Sequence, residues 1–141
     1  MEIKFKRVID GAKLPYKANP GDAGYDLSVA SIEMRNDGMQ VCYHTGIAVE
    51  IPEGYVGLLY MRSSAVYKTC RMANATGVID SGYRGEITAV FDILGHGDLY
   101  QTGDRCCQLV VVPYLQFDFV EADELSESER GNKGYGSSGV K

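Results

Sequence analysis

The sequence lacks several features that would place the protein in other classes. Its longest apolar run, LVVVPYL at 109–115, is too short to span a bilayer. It shows no signal-peptide pattern and no internal repeat. A net charge of −5 and a pI near 5.0 provide no overall basic field. We therefore expect neither membrane insertion nor nucleic-acid binding, and an anionic ligand would have to be held by a local basic cluster.

The cysteines do not have the paired spacing of a metal site. There are four, at Cys42, Cys70, Cys106 and Cys107. The two adjacent thiols are expected to point to opposite faces of a strand, which does not suit one shared metal ion. Without a signal peptide, we expect reduced thiols and a cytoplasmic protein, or one in the host-cell interior if it is viral.

Apolar residues alternate along the chain instead of recurring at helical spacing, which predicts an all-β fold. The 141 residues, 45% of them hydrophobic and 23% charged, are enough for one domain with a substantial core. We expect strands at 2–8, 39–51, 55–62, 85–94 and 107–120, and at most a short helix within 64–73.

Two of these strands, VGLLYM and QLVVVPYL, are apolar on both faces. Both of their sides should therefore be covered, which favours a closed or two-layered sheet and is compatible with a subunit interface. No linker precedes residue 121, where the acidic stretch EADELSESER leads into RGNKGYGSSGVK. The expected organisation is a β-domain at 1–120 followed by a mobile C-terminal arm at 121–141.

Five short stretches interrupt the alternation with turn glycines and polar residues. They are DAGYDL (22–27), YMRSSA (60–65), NATGVIDSGYRGEI (74–87), GDRCCQL (103–109) and the tail. Each one alone is compatible with a simple turn. The second, however, combines a guanidinium with two hydroxyls, and the tail repeats that combination, which suits phosphate groups. Two anion-binding stretches in an acidic protein indicate a polyphosphate ligand.

The order and spacing of the five stretches resemble the five motifs of the trimeric dUTP diphosphatases (dUTPases). The resemblance runs from about Asp22 to Gly139, and GVIDSGYRG and RGxxGYGSSG are its most specific parts. It implies a jelly-roll-like β-barrel with a flexible glycine-rich C-terminal arm, assembled as a homotrimer with active sites at the subunit interfaces. The implied reaction is hydrolysis of dUTP to dUMP and pyrophosphate.

The resemblance also implies a role for individual residues. Asp80 would be the catalytic aspartate that holds the 3′-hydroxyl and orients and activates the water attacking the α-phosphorus. Mg²⁺ would be bound mostly by phosphates and water, with Asp26 reaching it indirectly through water. The implied substrate-binding residues are Arg62, Ser63, Ser64, Asn74, Gly77, Val78, Ile79, Tyr83, Gln108, Arg130, Tyr135, Gly136, Ser137 and Ser138.

Within that set, the hairpin at 74–85 would read uracil through backbone N–H and C=O groups and reject cytosine, whose hydrogen-bonding edge is reversed. Tyr83 would pack under the deoxyribose and leave no room for a 2′-hydroxyl. Tyr135 stands where the family commonly has phenylalanine, and its ring would stack on uracil. Arg105, outside the set, is interpreted as structural.

Three other functions remain open at this level. A dCTP deaminase of the same fold group would need a catalytic glutamate and a different pocket block. A nucleotide-switched binding module would need no turnover. A plain structural jelly roll would explain neither Asp80 nor the tail.

Overall fold

The structure, a computed structural model of one chain, describes residues 1–134, and the regular secondary structure within them is almost all β-strand. Short 3-10 helices lie at Asn36–Gly38 and Ser63–Tyr67. The strands are β1 (Lys4–Arg7), β2 (Tyr25–Ser28), β3 (Ser31–Arg35), β4 (Gln40–Glu50), β5 (Tyr55–Met61), β6 (Cys70–Met72), β7 (Gly77–Ile79), β8 (Glu86–Ile93) and β9 (Arg105–Pro113). The all-β prediction is confirmed.

The strands form two antiparallel sheets. In the first, the order of hydrogen-bonded neighbours is β1, β4, β8 and β6. Strand β3 also pairs with β4, along the same edge as β1. In the second, the order is β2, β9, β5 and β7. One hydrophobic core takes residues from both sheets. The expected jelly-roll-like architecture therefore appears here as two sheets that enclose a common core.

An aromatic cluster occupies the centre of that core. The rings of Tyr43, Phe91 and Tyr100 meet edge to face, with centroids 5.3 to 5.9 Å apart. The Tyr43 hydroxyl accepts a hydrogen bond from the Tyr100 backbone N–H at 3.1 Å. Edge-to-face packing adds stabilisation beyond area burial, so this cluster ties the loop before β9 to both β4 and β8.

Strand β4 depends on one glycine. Gly46 has φ +68°, and a Cβ at this position would lie 2.6 Å from the Ala12 Cβ and 3.0 Å from the Ile9 Cβ. The register between β4 and β8 shifts between His44 and Ala48, so Gly46 lies at an irregularity of the ladder. Glycine adopts this positive φ without strain, and because it has no Cβ, the side chains of the 9–12 segment can pack directly against its backbone.

Most strand predictions agree with the structure, but one of them and the predicted helix need correction. The predicted helix within 64–73 is a 3-10 helix at Ser63–Tyr67, and the rest of that stretch contains β6, which pairs with β8. The strand predicted at 107–120 begins at Arg105 and ends at Pro113. Within residues 1–134, residues 114–120 pair with no other strand, and a strand requires a partner.

The expectation that Cys106 and Cys107 point to opposite faces is wrong. Leu27 pairs with Cys107 and Ser28 with Arg105, so Cys106 is the extra residue of a β-bulge. A bulge disturbs the simple alternation of side chains. Both thiols are fully buried, and their sulfurs lie 3.7 Å apart. All four cysteines remain free and buried.

In residues 1–134, no helix is long and apolar enough to cross a membrane.

Candidate functional site

Sheet register brings three of the five motifs side by side. On β9, Gln108 pairs with Asp26 of β2 on one side and with Tyr60 of β5 on the other. Arg62 follows the end of β5, next to the Met61–Cys107 pair. The strand order β2, β9, β5 thus places DAGYDL, GDRCCQL and YMRSSA at one end of the sheet, although they are far apart in sequence.

Asp26 lies between two arginines in this cluster. Its Oδ1 accepts a hydrogen bond from Arg62 Nε at 2.9 Å, and its Oδ2 accepts one from Arg105 Nη1 at 3.0 Å. The Asp26 side chain is only 16% exposed, so water screens these ion pairs less than pairs on the open surface. The contact agrees with the structural role expected for Arg105 and fixes the guanidinium of Arg62.

The other polar groups of this cluster are also held in place. Arg62 donates a second hydrogen bond, from Nη1 to Ser64 Oγ at 3.1 Å. Gln108 donates from Nε2 to the Met61 carbonyl oxygen at 2.9 Å. Ser63 is exposed at the start of the 3-10 helix. Donors on three elements therefore occupy one end of the sheet in fixed positions.

A cavity of about 620 Å³ opens beside these residues. Four cationic side chains line it, those of Lys13, Arg62, Lys68 and Arg105. The Tyr100 hydroxyl is buried there and has no hydrogen-bond partner within residues 1–134. Burial raises the pKa of Tyr100 to about 12, so at neutral pH this hydroxyl is a donor. The cavity is therefore suited to an anion.

Sequence reasoning missed three residues of this cavity, Lys13, Lys68 and Tyr100. Lys13 donates to the Gly103 carbonyl oxygen at 2.8 Å, and the Lys68 ammonium lies 5.1 Å from the centroid of the Tyr100 ring. None of the three belongs to a motif, and only the fold brings them together. No local pattern in the sequence could have identified them.

The NATGVIDSGYRGEI motif forms a second group on the other side of β5. Gly77, Val78 and Ile79 make up β7, which pairs with β5. Asn74, before that strand, and Asp80, immediately after it, are exposed. A separate cavity of about 320 Å³ is lined by Asn74 and by all three β7 residues, together with Leu59, Met72, Ala73 and residues 88–90.

The ring of Tyr83 is fixed beside this strand. Its hydroxyl donates to the Glu86 carbonyl oxygen at 2.9 Å, and its ring covers Gly85, where a Cβ would collide with it. Tyr83 as a whole is 45% exposed. One aromatic face therefore stays open to a ligand in a fixed orientation.

The two groups lie at opposite ends of β5. Ile79 is opposite Gly57, so Asp80 continues toward Val56, whereas Arg62 follows the other end of the strand. The six steps from Val56 to Arg62 at about 3.3 Å each come to about 20 Å along the strand. No hydrogen bond among residues 1–134 joins the two groups. One chain therefore does not bring its own Asp80 to its own Arg62.

The tail motif is only partly described. Arg130 is exposed, and its Nε donates to the Lys133 carbonyl oxygen at 3.1 Å. Its side chain contacts neither group described above. Tyr135, Gly136, Ser137 and Ser138 lie outside the described residues.

Comparison with known proteins yields one family. The dUTPase family model matches residues 10–139. A deoxyuridine 5′-triphosphate nucleotidohydrolase of Nocardia farcinica is 40% identical over 142 residues, which cover 97% of this chain and 85% of that protein. A variant dUTPase of Staphylococcus bacteriophage 80alpha, solved with dUpNHpp, superposes with a TM-score of 0.84 at 30% identity and covers 99% of each chain.

A second solved structure adds information on metal binding. A variant dUTPase from phage phi11 of S. aureus superposes with a TM-score of 0.73 at 26% identity, over 88% of this chain and 98% of that one. That structure is reported to reveal how a structural Mg(II) ion is coordinated.

Proposed function

Since this chain belongs to the dUTPase family, we propose that it hydrolyses dUTP to dUMP and pyrophosphate, with Asp80 orienting and activating the attacking water. The single observation that carries the detailed proposal is the placement of four of the five motifs. Three of them form a cationic, hydrogen-bonding cluster, and a fourth presents an exposed carboxylate beside a half-exposed aromatic ring.

Asp80 has the chemistry that the hydrolytic step needs. It is an exposed carboxylate directly after β7, so its oxygens are free to accept hydrogen bonds from a 3′-hydroxyl and from a water molecule. Its role is to hold the water in line with the α-phosphorus and to accept the water's proton as the new P–O bond forms. Pyrophosphate then leaves.

The β7 segment and Tyr83 are proposed to select the nucleoside. Backbone groups around Gly77, Val78 and Ile79 read the uracil edge, and Asn74 adds its side-chain amide. Tyr83 carries the deoxyribose on its open face. Because its hydroxyl is bound to the Glu86 carbonyl oxygen, the ring cannot easily move aside for a 2′-hydroxyl.

Arg62, Ser63, Ser64 and Gln108 are proposed to hold the triphosphate. The guanidinium of Arg62 is already oriented by Asp26 and by Ser64, so little ordering is needed when an anion binds. Lys13 and Lys68 add positive charge around the adjoining cavity. This cluster supplies the local basic site that the acidic chain needs for a polyphosphate.

The residues around Asp26 fit Mg²⁺ only as an indirect contact. Both Asp26 oxygens already accept bonds from arginines, and each oxygen retains a second lone pair that can accept a bond from a metal-bound water. Mg²⁺ keeps its water readily, so Asp26 would hold it through water while the phosphates provide direct ligands. When bound, the ion would neutralise negative charge on the triphosphate.

Two observations support a homotrimer with active sites between subunits. The separation of about 20 Å along β5 means that Asp80 of one chain needs the Arg62 cluster of another. In addition, Leu115, Phe117 and Phe119 are 72 to 95% exposed in one chain. A run of exposed large apolar side chains of this kind indicates a surface that is covered in an assembly.

The arm at 121–141 is proposed to close over the bound nucleotide. Arg130 would pair with the γ-phosphate, Tyr135 would stack on uracil, and Gly136, Ser137 and Ser138 would contact the phosphates. Closure of such a segment would exclude bulk water from the site.

The proposed reaction is tested by one substitution with a matched control. Asp80→Asn keeps the size of the side chain but cannot accept the proton, so kcat should fall by about 10²–10⁴ while dUTP still binds. Asp10→Asn, at another exposed aspartate, should retain wild-type kcat. Pyrophosphate and ammonia are measured with each dNTP. Ammonia release from dCTP would identify a deaminase, and binding without turnover by the wild type would identify a nucleotide-switched module.

The shared site is tested by mixing inactive subunits. Asp80→Asn and Arg62→Gln homotrimers are each expected to be nearly inactive. After subunit exchange at equal amounts, random assembly should give about a quarter of the sites both native groups, and about a quarter of wild-type activity. If the mixture stays as inactive as its components, the site is not shared between chains.

A further inference from the structure

Strands β3 and β4 bring three metal-ligand side chains together on one face of the first sheet. Glu33 pairs with Cys42 across the two strands, and His44 lies two residues beyond Cys42 on the same face. A carboxylate oxygen, the thiol sulfur and an imidazole nitrogen all lie within 4.8 Å of one another. His44 Nε2 and Glu33 Oε2 are 3.2 Å apart.

These separations suit a tetrahedral ion. Zinc–nitrogen and zinc–oxygen bonds of about 2.0–2.2 Å place two such ligands about 3.3 Å apart in a tetrahedral site. A thiolate sulfur, with its longer bond of about 2.3 Å, would lie about 3.6 Å from the imidazole nitrogen. The observed 3.2 Å matches the first spacing. Small side-chain movements would bring the Cys42 sulfur to the second spacing, the one between sulfur and the imidazole nitrogen.

The second nitrogen of the imidazole is held as in established metal sites. His44 Nδ1 lies 3.0 Å from Glu86 Oε2, and Glu86 Oε1 accepts a hydrogen bond from the Gly46 backbone N–H at 2.7 Å. A carboxylate on the far nitrogen fixes the tautomer that directs Nε2 toward a metal, and it raises the basicity of the ligand. Glu33 is itself oriented by Arg35 Nη2 at 2.8 Å.

We propose that Glu33, Cys42 and His44 form a binding site for a divalent cation of the zinc class, with a water molecule as the fourth ligand. The carboxylate and the thiolate would neutralise both charges of the ion, and the sulfur favours zinc or cobalt over magnesium. Because Cys42 is fully buried, the ion enters by displacing the Glu33–His44 contact, and the thiol releases its proton on binding.

This site differs in chemistry from the nucleotide site. In the latter, the proposed protein contact to the ion is an oxygen ligand, Asp26 acting through water, and oxygen is suited to magnesium. The proposed site also joins β3, at an edge of the sheet, to β4. Occupancy should therefore raise the thermal stability of the protein without taking part in hydrolysis.

The experiment uses untagged, reduced full-length protein titrated with Co²⁺ and then with Zn²⁺. The expected result is one bound ion per chain, with a thiolate-to-cobalt charge-transfer band and the intense visible bands of four-coordinate cobalt. Zn²⁺ should displace the cobalt, so the visible bands disappear, and it should raise the Tm of the protein. Cobalt bound without a thiolate band would place the ion elsewhere and overturn the proposal.

Variants assign the ligands. Glu33→Gln changes an exposed side chain and so preserves the fold, and it should weaken Co²⁺ binding about tenfold or more. His44→Gln should abolish the four-coordinate spectrum, whereas His96→Gln, at the only other histidine, should retain it. Circular dichroism confirms folding of each variant. Unchanged cobalt affinity and spectra in both the Glu33 and His44 variants would refute the site.

Discussion

Replacing Asp26 with asparagine tests the ion network that orients Arg62. The carboxylate accepts one hydrogen bond from Arg62 and one from Arg105. An asparagine of the same shape has only one acceptor oxygen, and its NH₂ group would face the second guanidinium as donor against donor. One arginine therefore loses its acceptor, and the two positive groups lose the negative charge between them.

The expected cost follows from the exposure of the groups. A hydrogen bond to a charged group contributes about 1.5–3 kcal/mol, and breaking a fully buried ion pair costs about 3–5 kcal/mol. Here the side chains of Arg62 and Arg105 are 23% and 40% exposed, so water compensates part of the loss. We expect Asp26→Asn to lower the free energy of unfolding by about 2 kcal/mol, which corresponds to a Tm lower by roughly 6–8 °C.

The assay compares Tm at one fixed protein concentration, because the proposed assembly would make Tm concentration-dependent. The control is Glu50→Gln, whose partner Lys4 lies 3.8 Å away with 83% of its side chain exposed. Such a pair contributes about 0.2–1 kcal/mol, so its Tm should fall by no more than about 3 °C. A loosened Arg62 should also raise the KM for dUTP in the Asp26 variant only. Equal Tm values for the two variants would refute the proposed energetic role of the network.

Three further substitutions have defined outcomes. Gly46→Ala should destabilise the fold by about 2–3 kcal/mol, since it combines a positive φ with overpacking; an unchanged urea midpoint would contradict this. Gly85→Ala should displace the Tyr83 ring and raise the KM for dUTP about tenfold, whereas Gly82→Ala, with open space around it, should not. Tyr135→Ala should reduce kcat/KM while Tyr135→Phe stays near wild type, because the ring makes the proposed contact; equal losses would assign the contact to the hydroxyl.

Alternation located the long strands well because one of their faces is buried. Ile87, Ala89 and Phe91 of β8 are all buried on the core side, and the sequence shows that period directly. Alternation did not predict the short strands β2, β3, β6 and β7, and β7 was expected only as part of the hairpin that the resemblance implies. They have three to five residues each, too few for a clear period, and pairing with long neighbours determines their structure.

The residues of the site were identifiable only in part. The motifs carry the side chains that a polyphosphate and a nucleoside require, but their arrangement depends on long-range register. The ion pair between Asp26 and Arg105 joins positions 79 residues apart. Residues 114–120 show the reverse case. Their alternation indicates a strand, but the described part of the chain, residues 1–134, supplies no neighbouring strand to pair with it.

The position of Asp80 and Arg62 at opposite ends of β5 has a genetic consequence. If each site takes one group from each of two chains, a subunit carrying Asp80→Asn inactivates one site of a mixed trimer, and so does a subunit carrying Arg62→Gln. A subunit with both substitutions inactivates two sites, because its neighbours on either side depend on it. Co-expressed with the wild type, the double variant should therefore be more dominant than either single variant. In ordinary enzymes, whose sites lie within one chain, a second inactivating substitution adds nothing.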